Sequence, residues 1–276
     1  MIVPTVADVM ELMETLAPAR LAEEWDNAGL QIGRRTAPVR KVRVALDPLP
    51  AVVRSACADG IDLLVVHHPL VFRPLRQFDF DAPTGGIVEA AARGGLSIFA
   101  AHTNFDAAAG GVNDILARRI ALAVSGPLEP AAPGAAEGMG RIGRLEPPGD
   151  LDAVARRIAG AMGLDHVRTV GDPALRVETV AVCSGSGGGM IGRFLETGAE
   201  VFVTGDLKYH EARDIENAGR GAVDIGHFAS ERPAMASLAR ELQRRFRDRG
   251  MAVSVDVAAE ERNPFRTLAS NGKGIS

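Results

Sequence analysis

The chain has 276 residues and a formal net charge of −4. This length indicates one large or two modest domains, and the charge excludes the basic surface of a general nucleic-acid-binding protein. Hydrophobic residues make up 46% of the chain, so a sizeable core is expected. The N-terminus lacks a basic segment followed by an apolar one, and no apolar run reaches membrane-spanning length. Because only Cys57 and Cys183 are present, we expect a reducing compartment and no disulfides. Together with the missing signal segment, the absence of a membrane-spanning run and the net charge, this predicts a cytoplasmic protein without a membrane or nucleic-acid partner.

The first 60 residues predict a helix, a turn segment, a strand and a second helix. Thr5 is a candidate N-cap, and the apolar residues after it follow helical spacing. The stretch 25–33 contains an Asp-Asn pair and two glycines, which are typical of turns. Its Trp25, the only tryptophan of the chain, is more typical of a core residue than of a platform for a substrate. Residues 42–46 alternate as a strand, and residues 50–59 predict a helix.

The most informative stretch is 61–69. Five of its first six residues are apolar, which is typical of a buried parallel strand. His67 and His68 follow at the carboxyl end of this strand, where ligands bind in α/β sheets. Pro69 keeps His68 out of helical geometry, so the chain should stay extended and the two histidines should point to different sides. Two metal ions, one per histidine, suit this arrangement better than one shared ion.

The same succession of helix, glycine and strand occurs three more times, and each copy is again followed by residues able to bind metal. These residues are His102–Asp106 after a strand at 96–101, Asp206–His210 after a strand at 200–204, and His227–Glu231 after a strand at 222–225. The repetition predicts an α/β protein of two similar, interleaved halves, with metal ligands at the carboxyl ends of strands that face one cleft.

Composition suggests where these halves begin and end. Residues 1–124 would form the first half and residues 150–268 the second. The Pro-, Gly- and Ala-rich segment 125–149 is a candidate connection between them, and residues 269–276 a candidate flexible tail. The run Ser-Gly-Ser-Gly-Gly-Gly at 184–189 is more typical of a tight turn than of a nucleotide-binding loop.

The clustered residue types point to a dinuclear metal site. Five of the six histidines follow the predicted strands, and Asp106 and Glu231 stand beside them. Imidazole and carboxylate ligands suit Zn, Mn, Fe, Co or Ni, and the absence of thiolates argues against a closed structural zinc site. Either carboxylate could bridge two ions about 3.5–4 Å apart. Any single histidine could be a core or surface residue, but the assembled set favours metal binding. His227 and Glu231, four residues apart, share a face only if their segment is helical, and we expect a long helix from about residue 233 to 249.

Five motifs together resemble the Nif3-like family, also called the dinuclear metal-centre hexameric family or GTP cyclohydrolase I type 2 homologues. They are Trp25–Leu30, His67–Leu70, His102–Asp106, Thr204–His210 and Gly226–Glu231. The resemblance spans nearly the whole chain, in the short form that lacks the middle domain of some relatives. It implies a toroidal homohexamer with two divalent metal ions per chain. The ligands that it implies are His67, His68, Asp106, His227 and Glu231, with Glu231 bridging the two ions.

The name GTP cyclohydrolase implies hydrolytic ring opening of GTP. The ligand types themselves favour a metal-dependent hydrolase that acts on a nucleotide or amide substrate through metal-bound water. The sequence agrees in lacking a G-x-S-x-G elbow and a cysteine in a nucleophile motif. His102 and His210 are then candidate proton shuttles, and a hydrogen-bonded structural role is an equal alternative. A non-enzymatic metal carrier or regulatory scaffold is the second hypothesis for the whole protein.

Overall fold

The structure of the chain is a computed structural model that describes residues 2–268. The predicted tail at 269–276 therefore lies outside the described residues. Nine α-helices lie within the described range. They are α1 (Val6–Leu16), α2 (Pro50–Ala58), α3 (Pro83–Gly94), α4 (Thr103–Ala107), α5 (Val112–Arg119), α6 (Leu151–Met162), α7 (Ile191–Glu196), α8 (Tyr209–Asn217) and α9 (His227–Asp248). None of these helices is both long enough and apolar enough to pass through a lipid bilayer.

Thirteen strands within residues 2–268 form two large sheets and one short hairpin. The strands are β1 (Gly29–Ile32), β2 (Lys41–Ala45), β3 (Leu63–Val66), β4 (Ser97–Ala100), β5 (Leu122–Gly126), β6 (Glu129–Pro130), β7 (Gly138–Met139), β8 (Arg141–Asp150), β9 (Arg168–Val170), β10 (Arg176–Ser186), β11 (Val201–Gly205), β12 (Gly221–Asp224) and β13 (Ser254–Val257). The first sheet has the order β1-β4-β3-β2-β13, and the second has the order β5-β8-β10-β11-β12-β9. Strands β6 and β7 pair only with each other.

The two sheets share one topological unit. In the first, β2, β3 and β4 are parallel, and β1 lies antiparallel beside β4. In the second, β10, β11 and β12 are parallel, and β9 lies antiparallel beside β12. In each unit this antiparallel strand precedes the three parallel strands in the chain, so the predicted pair of similar α/β halves is confirmed. The last strand, β13, joins the first sheet beside β2, so the halves interleave along the chain.

Helices cover both faces of each sheet, as the nearly all-apolar parallel strands require. Helices α1 and α9 pack on one face of the first sheet, and α2 and α3 pack on the other. Helices α5 and α6 cover one face of the second sheet, and α7 and α8 cover the other. Helix α9 follows a strand of the second sheet but packs on the first, and it thereby joins the two halves.

Helix α9 begins earlier than the sequence predicted. We expected a start near residue 233, but the helix begins at His227 and contains Pro233 in its second turn. Gly226 has a positive φ of 81°, which lets the chain turn directly from the region after β12 into the helix. Pro233 costs the helix one backbone hydrogen bond without ending it. His227 and Glu231 consequently lie on one helix face.

Two other segments differ from the sequence prediction. The stretch expected to form a turn contains β1, because its two glycines lie at the ends of the strand: Gly29 begins it and Gly33 follows it, both with positive φ. The segment 125–149, expected to connect the halves with a short strand at 141–145, contributes a longer strand, since it supplies most of β8, which pairs with both β5 and β10. Arg141 of β8 is fully buried and forms an ion pair with Asp114 of α5. The Pro and Gly residues that suggested a connection lie mainly between these strands and at the end of β8.

Candidate metal centre

His67 and His68 lie directly after β3, as the sequence predicted. Strand β3 ends at Val66, but the backbone N–H groups of His67 and His68 still donate to the carbonyls of Ala45 and Leu46. The neighbouring strand therefore holds both histidines in place. His67 is buried, with 1% of its surface exposed, whereas His68 is partly exposed to a cavity.

The other three predicted ligands approach this pair from helices that follow strands. Asp106 lies on α4, which begins shortly after β4 ends, and it is buried. His227 and Glu231 lie in the first two turns of α9, which follows β12 of the second sheet. Both halves of the protein thus contribute to one cluster.

The five side chains form two triplets that share Glu231. His67, Asp106 and Glu231 form the first triplet, and His68, His227 and Glu231 form the second; within each, the potential ligand atoms lie within 4.8 Å of one another. In the first, His67 Nε2 lies 3.7 Å from Asp106 Oδ1 and 3.6 Å from Glu231 Oε1. In the second, Glu231 Oε2 lies 3.2 Å from His68 Nε2 and 3.0 Å from His227 Nε2.

Two buried atoms at the centre of this cluster have no hydrogen-bond partner among the described residues. They are His67 Nε2 and Glu231 Oε2. The distances from Glu231 Oε2 to the histidines are short, but the atoms are not aligned for hydrogen bonds. An unsatisfied buried nitrogen or carboxylate oxygen is costly, and a bound cation is one way to satisfy it. His67 Nε2 lies in the first triplet, and Glu231 Oε2 faces the two histidines of the second. The imidazole nitrogens and carboxylate oxygens of the two triplets are donors that fit divalent metal ions.

The two adjacent histidines are also closer to each other than the sequence suggested. Their ring centroids lie 5.0 Å apart, and His67, His68 and His102 form a third group of potential ligand atoms within 4.8 Å. Both rings also approach Glu231, but His67 is the one that lies near Asp106 and His68 the one that lies near His227.

Each imidazole of the two triplets is held through its second ring nitrogen. His67 Nδ1 lies 2.8 Å from the carbonyl oxygen of Ala101, and His68 Nδ1 lies 2.8 Å from Asp47 Oδ1. His227 Nδ1 lies 2.9 Å from Asp206 Oδ2. These contacts orient the rings with Nε2 towards the cluster, as is usual for metal-binding histidines. Asp47 was not predicted as a site residue, although it follows β2 at the same edge of the sheet as His67 and this position is a signal for a functional residue.

Asp106 is positioned by contacts across the two halves. Ser184 Oγ donates to Asp106 Oδ1 at 3.2 Å, and Asn113 Nδ2 donates to the Asp106 carbonyl at 3.1 Å. Asn113 in turn accepts a hydrogen bond from the N–H of Ser184. Ser184 and Asn113 could not be predicted from the sequence as part of the site, because neither has a metal-binding side chain and their contact depends on the packing of α5 against β10.

Charges within the cluster shift the pKa values of its members. Burial alone would lower the pKa of His68, but Asp47 and Glu231 outweigh it and raise the pKa to about 10. The Glu231 carboxylate, helped by Asp206, raises the pKa of His227 to about 9 against the effect of burial. Burial would raise the pKa of Glu231, but the surrounding imidazoles hold it well below its usual value. The cluster therefore attracts positive charge, which protons supply when no metal ion is bound.

The two histidines proposed as proton shuttles lie in different surroundings. His102 faces the cluster, and its Nδ1 lies 2.8 Å from Asp26 Oδ1. Burial would raise the pKa of Asp26, but His102 and Thr103 lower it to about 2, so Asp26 is ionised. His210, by contrast, is exposed in the first turn of α8, and the structure does not bring it to the cluster or to the cavity around it.

A cavity of about 600 Å³ opens onto the cluster, and aromatic side chains form part of its wall. Trp25 is 58% exposed, so the expectation that it fills the core was wrong. Its ring packs edge-on against Phe72 at 5.7 Å and lies 6.0 Å from the His102 ring. The motif that contains Trp25 also supplies Asp26, so the backbone that positions Asp26 under His102 keeps Trp25 at the cavity. A cavity of this size can hold a small organic molecule.

The Gly-rich run packs against the cluster of candidate metal ligands. It forms the end of β10 and a short 3-10 helix at Gly187–Met190, and part of it lines the cavity. Gly185 has a positive φ of 64°, and a Cβ atom on it would overlap Glu231 Oε1. The glycine at this position is thus required by the close approach of a carboxylate.

Gly185→Ala is therefore expected to weaken metal binding at least about tenfold, because Glu231 must move and the backbone is strained. Gly189→Ala is the matched control, since it lies in the same run and a Cβ atom there meets nothing within 4 Å. Titration of both variants with Zn²⁺ or Mn²⁺ measures the difference. Equal affinities in the two variants would show that Gly185 does not set the position of Glu231.

Known proteins resemble this chain over nearly its whole length. Residues 4–264 match the family model described as Duf34/NIF3 (NGG1p interacting factor 3). A relative from Lactococcus lactis is 32% identical over 94% of this chain and 98% of its own, and one from Streptomyces coelicolor is 34% identical over 83% of this chain and 82% of its own. Both relatives are named GTP cyclohydrolase 1 type 2 homolog.

The crystal structure of a Bacillus cereus protein related to NIF3 matches with a TM-score of 0.92 and 26% identity, covering 97% of this chain and all of that one. An alignment with a Bacillus subtilis relative spans 365 residues, so that relative carries a segment that this chain lacks.

Proposed function

The chain belongs to the Duf34/NIF3 family, and we propose that it binds two divalent metal ions and uses them to hydrolyse a small nucleotide-like or amide substrate. The observation that carries the proposal is the pair of ligand triplets that share Glu231 in one buried cluster. The name of its relatives, GTP cyclohydrolase 1 type 2 homolog, supports a nucleotide as the substrate class.

The two triplets suggest which residues would hold each ion. His67 and Asp106 would bind one ion, His68 and His227 would bind the other, and Glu231 would contact both. Three imidazoles and two carboxylates suit Zn, Mn, Fe, Co or Ni. When bound, such ions lower the pKa of water to about 7 and so supply hydroxide at neutral pH.

Other residues of the cavity would bind the substrate and move protons. The contact between His102 Nδ1 and Asp26 leaves Nε2 of His102 for proton exchange beside the cluster. Trp25 and Phe72 present aromatic surface on the same cavity, which suits a planar ring such as a nucleobase. Burial of His67, Asp106 and Glu231 keeps bulk water away from the inner side of the site.

A metal carrier or regulatory scaffold is the second candidate function. The observation that favours it is the exposure of one side of the site, where a third of the His227 side chain is accessible. An ion could leave through that side to a partner. Both candidates require the same metal cluster, and only the first requires a reaction.

Turnover by the metal-loaded protein distinguishes the two functions. We expect hydrolysis of at least one compound in a panel of nucleotides, phosphodiesters and cyclic amides, lost with a chelator and restored by a divalent metal. Turnover that resists the chelator would exclude the proposed chemistry. If no compound is hydrolysed while metal passes to an apo-acceptor protein, the carrier function is supported instead.

Metal affinity is expected to rise between about pH 7 and pH 9. His68, with its pKa raised to about 10, and His227, with its pKa raised to about 9, carry protons at pH 7 when no metal is bound. A metal ion must displace these protons from the imidazoles to bind. As the pH rises towards the two pKa values, protons compete less with the ion. The metal affinity therefore increases by up to about tenfold per pH unit for each proton displaced. Competition with a chromophoric chelator across this range measures the effect. An affinity independent of pH would mean that these histidines do not bind the ion.

We also propose that the chain forms a homohexamer in the cytoplasm. The segment after His68 exposes Phe72, Leu75, Phe78 and Phe80, an apolar surface that favours contact with other subunits. Cys57 and Cys183 are both free thiols, which suits a reducing compartment. Light scattering at micromolar concentration tests the assembly, and a stable monomer would exclude it.

A further inference from the structure

A second cavity lies on the opposite side of the first turns of α9 from the metal cluster. Its volume is about 670 Å³, and four arginines line it, Arg118 and Arg119 from α5 and Arg232 and Arg240 from α9. No acidic residue is among the described residues that line this arginine cavity. Such a concentration of positive charge is unexpected in a chain of net charge −4.

Most of this positive charge is not neutralised within the described residues. Arg232 forms a salt bridge with the buried Glu261 at 3.3 Å. Arg118, Arg119 and Arg240 take part in no salt bridge within residues 2–268, and Arg240 donates only to Ser237 Oγ. The nearby Asp114 forms its salt bridge with the buried Arg141, and, against the effect of burial, the charge of Arg118 contributes less than Arg141 to lowering the pKa of Asp114. Three guanidinium groups without a salt bridge are thus available to an anionic ligand. One guanidinium group can donate two parallel hydrogen bonds to two oxygens of the same phosphate.

The rest of the arginine cavity is apolar. Ile115, Met162, Leu164 and Phe228 contribute to its wall, and Met162 and Ile115 are buried. A cavity that combines phosphate-binding groups with an apolar wall suits a small organic phosphate better than inorganic phosphate alone. The concave shape and the negative net charge both favour a small ligand over a nucleic acid, which needs an extended basic surface.

We propose that the arginine cavity binds a phosphorylated small molecule of nucleotide size, with its phosphates on Arg118, Arg119 and Arg240 and its organic part on Phe228 and Leu164. This site shares no lining residue with the cavity of the metal cluster. Phe228 and Arg232 nevertheless lie next to His227 and Glu231 on the same helix, so the ligand would contact the helix that carries two metal-binding residues.

Equilibrium dialysis of the full-length protein with labelled ATP tests the proposal. We expect ATP to bind, inorganic triphosphate to compete, and adenosine to compete weakly. Arg118→Gln/Arg240→Gln should weaken ATP binding by about tenfold for each lost contact. Arg118→Lys/Arg240→Lys should have an intermediate effect, because lysine keeps the charge but not the paired donors. Leu164→Ala should weaken the binding of ATP more than that of triphosphate.

Two control variants test whether ATP occupies the arginine cavity itself. Arg54→Gln/Arg93→Gln removes the same charge from exposed positions elsewhere and should leave ATP binding unchanged. Glu231→Ala should keep the ATP bound in the arginine cavity and lose only ATP bound as a nucleotide-like ligand at the metal cluster, since the two cavities share no lining residue. Loss of binding in Glu231→Ala but not in the arginine variants would place ATP at the metal ions and overturn the proposal. It would equally be overturned if ATP fails to bind at millimolar concentration, if only long polyanions bind, or if the Gln pair instead changes the mass of the assembly.

Discussion

Glu231→Ala is expected to reduce the metal content to fewer than one ion per chain, whereas His67→Ala should leave about one of two. The reason is geometric, since Glu231 is the only residue that belongs to both triplets with carboxylate ligands. His67 approaches Asp106 and Glu231, but His68 and His227 keep their contacts with Glu231 when His67 is lost. Elemental analysis of each variant after reconstitution with Zn²⁺ or Mn²⁺ measures the difference.

Glu241→Ala provides the control for a lost carboxylate, because Glu241 lies on the same helix and pairs with Arg244 and Arg245 on the surface. It should bind as much metal as the unmodified protein. Glu231→Gln keeps the size of the side chain but removes its charge. Its metal content should fall nearly as much as that of Glu231→Ala. Equal and small losses in Glu231→Ala and His67→Ala would contradict a bridging carboxylate.

His102→Ala is expected to slow substrate hydrolysis by about 10²- to 10⁴-fold while the metal content stays unchanged. His102 lies beside the cluster, and its ring is held by Asp26, which in turn accepts hydrogen bonds from the backbone N–H and the hydroxyl of Thr103. This arrangement fixes the imidazole at the cavity without using it in either of the two triplets that contain Glu231. The measurements are the turnover number and the metal content of the same preparation.

His166→Ala is the matched control, because His166 is exposed and its Nε2 contacts only Thr267 Oγ1 among the described side chains. His210→Ala should also retain turnover, since His210 lies outside the cavity. Asp26→Asn should lower turnover and shift its pH profile if Asp26 acts by orienting His102. A loss of metal in His102→Ala would instead make His102 a ligand, as its proximity to His67 and His68 would permit.

The sequence could predict the parallel strands and the cluster because both depend on local patterns. An apolar run such as 63–66 predicts a buried strand wherever it lies in the fold, and residues at the carboxyl ends of such strands meet at one edge. This reasoning pointed to His67, His68 and the segments 102–106 and 206–210 alike, and only the family resemblance selected Asp106 and the other four residues as ligands. His227 and Glu231 were found together with the spacing that places them on one helix face.

The features that the sequence could not predict depend on packing between distant segments. Trp25 looks like a core residue by type, but the turn that brings Asp26 to His102 leaves it at the cavity. His210 follows a strand in the sequence just as His102 does, but the first turn of α8 faces solvent. The role of Gly185 is also invisible in the sequence, because it depends on the approach of Glu231 from a helix 40 or more residues later in the chain.

The number of metal ions per chain tests the central claim most directly. The full-length protein, reconstituted with Zn²⁺ or Mn²⁺ and freed of excess metal, should contain about two ions per chain by elemental analysis. His166→Ala, treated in the same way, should contain the same amount. A content below one ion per chain in the unmodified protein would contradict the dinuclear centre and the hydrolytic function that depends on it.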